Sequence, residues 1–77
     1  MNYFEFSLII KEKRIIKQYT QKKMSSLIGI SISRYNHIEN GRIEPRFIEL
    51  VLICQILDID FSSVIKENEV LSRPHYD

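Results

Sequence analysis

The sequence predicts an all-α fold, a compact bundle of five short helices. Two observations carry that expectation. Apolar residues recur at helical spacing in separate segments, and the gaps between segments hold the residue types that begin and end helices. No segment reads as a strand.

The first helix is expected from about Tyr3 to Lys17, because Phe6, Ile10 and Arg14 stack at i, i+4 with Ile9 and Lys13 beside them. An arginine on that stripe is out of place by pattern alone. Thr20 is placed to cap a second helix, Gln21 to Ile28, with Met24, Leu27 and Ile28 as its buried face and Gly29 as a left-handed stop. Ser31 then caps a third, Ile32 to Asn40, which Gly41 ends for the same backbone reason. Only Gly29, Ile30 and Ser31 separate these two helices, and a short glycine-containing turn between two helices is the layout of a helix-turn-helix unit.

Pro45 can start a fourth helix, near Arg46 to Leu57, with Phe47, Leu50, Val51, Ile53, Cys54 and Leu57 as a broad apolar stripe. Asp60 is placed to cap a fifth, about Phe61 to Glu67. Residues 1–67 therefore form the expected domain, and residues 68–77 a tail without usable periodicity.

A chain of 77 residues fits one domain and buries a modest fraction of its surface, so a second copy is expected to add stability. Val64, Ile65, Val70 and Leu71 are the apolar residues expected to meet that copy. Apolar residues at 44% and charged residues at 27% are ordinary for a folded soluble protein and argue against disorder. The longest apolar run, Leu50 to Cys54, is too short to span a membrane, and the N-terminus has no basic region followed by a long apolar segment. Cys54 is the only cysteine and the two histidines lie far apart, so neither a disulfide nor a zinc-ligand spacing is present. A cytoplasmic protein without metal or other cofactor is expected. Cys54 itself reads as core.

Net charge is only +1, but its distribution is uneven. Residues 11–46 hold nine Lys or Arg against Glu12, Glu39 and Glu44, while residues 47–77 hold two basic side chains against six acidic. That asymmetry is what a protein with one phosphate-facing side would show.

The segment "TQKKMSSLIGISISRYNHIENGRIEP" resembles the Cro and phage-repressor family of helix-turn-helix regulators, also called the xenobiotic-response-element (XRE) family. The shared pattern is Thr20 and Gln21, the apolar Met24, Gly29, then Ile38, Glu39, Asn40 and Gly41, with Pro45 four residues later. The likeness runs from about Phe6 to Val64, and "KEKRI" and "PRF" are similar to phage repressors of the lambdoid group. Two positions depart from it: Ser25 stands where the family favours Ala at the contact between helices 2 and 3, and Gln18 replaces a common Gly before Tyr19.

The resemblance implies a lambda-repressor-like fold and pairs Arg14 with Glu39, a planar fork on a carboxylate that would lock helix 1 to the end of helix 3. It also implies that helix 3 enters the major groove of double-stranded DNA by its N-terminal end. Ile32, Ser33 and His37 then become candidate base readers, with Arg34 and Asn36 toward the flanking strand, Arg34 on a phosphate. Tyr35 and Ile38 turn to the core. Gln21, at a helix N-terminus, would reach the DNA backbone, with Lys22, Ser31, Asn40, Arg42 and Arg46 as further contacts.

The function expected is sequence-specific DNA binding by a transcriptional regulator, a repressor acting as a homodimer on a two-fold related operator. Restriction-modification controller proteins and the antitoxins of toxin-antitoxin pairs share this fold and size. A different class of reading is an interaction module that holds a toxin or other protein through helix 5 and the tail, against which the polar, basic helix 3 speaks. Catalysis is not expected: Ser33, His37 and Glu39 share a helix, but no cleft or second carboxylate attends them.

Overall fold

A computed structural model describes residues 2–67. They form five helices, α1 (Tyr3–Ile16), α2 (Gln21–Ile28), α3 (Ile32–Glu39), α4 (Phe47–Leu57) and α5 (Phe61–Glu67). The expected order and number hold, with α4 starting one residue late because Arg46 serves as its cap.

Local chemistry sets the boundaries. The Thr20 side chain accepts from the Lys23 amide at 2.9 Å and the Ser31 side chain from the Arg34 amide at 3.0 Å, each satisfying a donor the first turn leaves unpaired. Asn2 and Glu5 cap α1 reciprocally: the Glu5 amide donates to Asn2 Oδ1 at 2.8 Å, and the Asn2 amide to Glu5 Oε1 at 3.4 Å.

The ends are alike too. The amides of Tyr19, Ile30, Arg42 and Ile59 each reach back five residues to a carbonyl, at 2.9–3.1 Å. The residue before each such donor is left-handed: Gln18 at φ +62°, Gly29 at +87°, Gly41 at +71° and Asp58 at +58°. Gln18, which fills the place of the family's Gly, therefore carries the strain that a glycine would avoid.

The core draws on every helix: Phe6 and Ile10, Met24 and Ile28, Tyr35 and Ile38, then Ile53, Cys54 and Leu57, then Val64. α2 and α3 pack closely, α1 lies against α3 and α4, and α4 supports α2 and α5. Ser25 is buried where α2 meets α3, and its hydroxyl donates to the Lys22 carbonyl at 2.8 Å, so the departure from Ala leaves no unpaired group. Burial, with Asp60 adding to it, pushes the Cys54 thiol up to about 11, consistent with a core residue.

Three apolar assignments need correction. Leu27 is 45% exposed, because Met24 and Ile28 already fill the angle at which α2 faces the core. Phe47, at the first position of α4, is 69% exposed and meets the Phe61 ring edge-on. Val64 is buried in the monomer core and is therefore not free to join two copies. The Ile65 side chain, Val70, Leu71 and the rest of the tail lie outside the described residues.

Candidate nucleic-acid interface

One buried carboxylate organises the helix-turn-helix. Glu39 ends α3 and is 3% exposed. Arg14 forks it, with Nε to Oε1 at 2.8 Å and Nη2 to Oε2 at 2.9 Å, while Nη1 donates to the Tyr19 carbonyl at 2.8 Å. The out-of-place arginine of α1 thus ties α1, the turn after it and the end of α3 together.

Burial pushes the Glu39 carboxyl up, but hydrogen bonds from Arg14 and Gln21 and the nearby Tyr35 hydroxyl outweigh it and hold the group below its ordinary value. The Tyr35 hydroxyl acts at close range only, since no hydrogen bond of good geometry reaches it among the described residues.

The same carboxylate runs on toward the surface. Gln21 Nε2 donates to Glu39 Oε2 at 3.2 Å, and Gln21 Oε1 accepts from Asn36 Nδ2 at 3.2 Å. Gln21 and Asn36, both expected to meet the DNA backbone or its flanking strand, are therefore joined to each other and to the Arg14–Glu39 pair.

Around them the expected residues divide into two groups. Lys22, Ser31, Ile32, Ser33, Asn40, Arg42 and Arg46 are exposed, whereas Gln21, Arg34, Asn36 and His37 are half-buried. Ile32, 47% exposed, and Ser33 open α3 at the surface. His37 lies one turn beyond Ser33, and its Nδ1 is buried without a hydrogen-bond partner among the described residues. Arg42 and Arg46, on the connection from α3 to α4, make no ion pair among the described residues.

Arg34 departs from expectation. It does not stand free beside α3: Nε and Nη2 fork Glu49 at 2.7 and 2.8 Å, and Glu49 Oε1 also accepts the Arg46 amide at 2.7 Å. The hydrogen bond from Arg34, partly offset by desolvation and helped by the Arg46 amide, holds the Glu49 carboxyl below its ordinary value.

Glu49 is the residue that the reading of the sequence missed, being counted there only as part of the acidic second half. A signal was available, since a glutamate three residues after a helix start and ahead of an apolar run marks a capping position.

Two short packed helices joined by three residues, with the second presenting its first turn to solvent and exposed cations before and after it in the chain, define a DNA-binding helix-turn-helix unit. The family model described as helix-turn-helix matches residues 10–64, and the chain belongs to that family, in its Cro and phage-repressor branch. No curated protein and no solved structure matches the chain. The protein is accordingly a DNA-binding helix-turn-helix regulator of the XRE type. Among the described residues no helix is long and apolar enough to cross a membrane, and no group of His, Cys, Asp and Glu is arranged to hold a metal.

Proposed function

We propose that the chain represses transcription by binding, as a homodimer, a two-fold related operator in double-stranded DNA. The observation that carries this reading is the exposed first turn of α3, Ile32 and Ser33, together with the exposed cations Lys22 on α2 and Arg42 and Arg46 after α3, none of which makes an ion pair among the described residues. Base-edge contacts from the first turn set sequence, and the cations fix the register on the phosphates. Occupation of a promoter by such a domain suffices for repression.

Affinity for duplex DNA should fall linearly with salt on a log-log plot, by about 0.9 per phosphate neutralised. Replacing Arg42 and Arg46 together with Ala should flatten that slope by about 2. Binding titrations at several salt concentrations decide it, and the absence of binding at any salt sinks the function.

The contact between subunits is proposed at the head of α4 rather than at Val64. Phe47 and Ile48, 69% and 58% exposed, form an apolar patch immediately after Arg46. A two-fold axis there would bring the Arg46 side chains of both subunits to the operator centre, with the recognition helices about 34 Å apart, one turn of DNA. Sedimentation should show a dimer on DNA, and Phe47→Asp should yield a monomer that retains its fold. A wild-type protein that stays monomeric both free and on DNA removes the proposal.

A further inference from the structure

Glu49 holds the Arg34 guanidinium by its side. Nε lies 2.7 Å from one carboxylate oxygen and Nη2 lies 2.8 Å from the other. The Glu49 side chain is only 3% exposed, against 28% for Arg34, and the Arg46 amide fixes it at 2.7 Å within the first turn of α4. A carboxylate anchored in this way cannot follow an arginine that swings, so it fixes where the guanidinium points.

The side-on grip uses the Nε hydrogen and one hydrogen of Nη2. The two hydrogens of Nη1 and the second of Nη2, at the far end of the fork, meet no acceptor among the described residues. Two parallel N–H donors at that end match the two acceptors N7 and O6 that guanine presents in the major groove, where adenine offers one acceptor and one donor. Arg34 is the third residue of α3, next to the exposed Ser33, in the turn that reaches base edges. A phosphate contact requires only a positive charge within reach. It gains less from a fixed fork than a base edge does, and the adjacent Glu49 carboxylate already offsets the charge.

We infer that Arg34 reads a guanine in each half-site, and that Glu49 is the positioning residue that holds its fork to the base. This rests on the proposed DNA binding and replaces the phosphate contact expected of Arg34 from the sequence.

Selection from random duplexes with the full chain and its Arg34→Lys and Glu49→Gln variants tests it. The wild type should select one strongly preferred guanine per half-site. In Arg34→Lys, which keeps the charge and loses the fork, that preference should fall roughly 10- to 100-fold while the salt slope stays unchanged. Glu49→Gln should blunt preference at the same position and leave the others alone, an effect that a merely structural role would not confine to one base pair.

For the wild type, 7-deazaguanine at that position should weaken binding by a similar factor, and inosine, which keeps N7 and O6, should not. An unchanged selected site in Arg34→Lys overturns the inference, as does an Arg34→Ala variant that weakens all sequences alike and flattens the salt slope by about 0.9. A wild type that binds no duplex at all overturns the DNA-binding function itself and is told apart by that result.

Discussion

Glu39→Ala should lower stability by about 3 kcal/mol or more, because it strands the Arg14 guanidinium, 13% exposed, without its carboxylate. In a domain of this size that corresponds to a fall in Tm of roughly 15 °C. Arg14 would keep only the Tyr19 carbonyl, and Gln21 would lose one of its two partners. Replacing both members of the pair, as in Arg14→Met with Glu39→Leu, should recover part of the loss, since no buried charge is then left alone. A Glu39→Ala midpoint within a degree or two of wild type would show that the pair contributes little.

Acid should reproduce this loss reversibly. The folded-state pKa values of Glu39 and Glu49 both lie below the ordinary value of 4.5. The unfolded chain therefore binds more protons than the folded one in that range. The stabilisation is fully present above about pH 4.5 and disappears as the pH falls through the lowered values. Urea midpoints measured from pH 6 downward should decline in that window, and Glu39→Gln should show a shallower decline.

Gly41→Val should come next in size, at about 3 kcal/mol. A β-branched residue at φ +71° bears a left-handed backbone costing about 1–2 kcal/mol, and overpacking adds about 1–3 more. The packing component arises because a Cβ at Gly41 would lie 3.2 Å from Ser7 Oγ, on α1. Gly29, at φ +87°, has open space where its Cβ would be, so Gly29→Val should suffer the backbone component alone. Equal losses in the two variants, measured by thermal melts, would mean that α1 yields to the added group without resistance.

The helices were legible in the sequence because their ends are local chemistry. Thr20, Ser31, Gly29 and Gly41 act within one turn of themselves, so their identity and spacing suffice. Arg14 with Glu39 became legible only through likeness to a family, since nothing local joins residues 25 apart. Leu27 and Phe47 were misplaced because periodicity marks an apolar angle on a helix but not how wide an angle its neighbours cover. The fork of Arg34 on Glu49 was not legible for a related reason. The two residues lie 15 apart on different helices, and only the position of α4 against α3 brings them together.

Asn36 is tied through Gln21 to the Glu39 carboxylate, and Arg34 is tied to Glu49, whereas the Ile32 and Ser33 side chains have no such partner among the described residues. The proposed recognition helix, α3, therefore has two kinds of position with different tolerance to change. On the proposed mode of DNA binding, substitutions at Ile32 and Ser33 should alter which operator is bound while leaving the domain as stable as before, within the small range usual for surface changes. Altering Asn36 or Arg34 disturbs a support as well as a proposed contact. New binding preferences, whether they arise by drift or are built in the laboratory, should accumulate first at Ile32 and Ser33, and extend to the anchored pair only in variants with stability to spare.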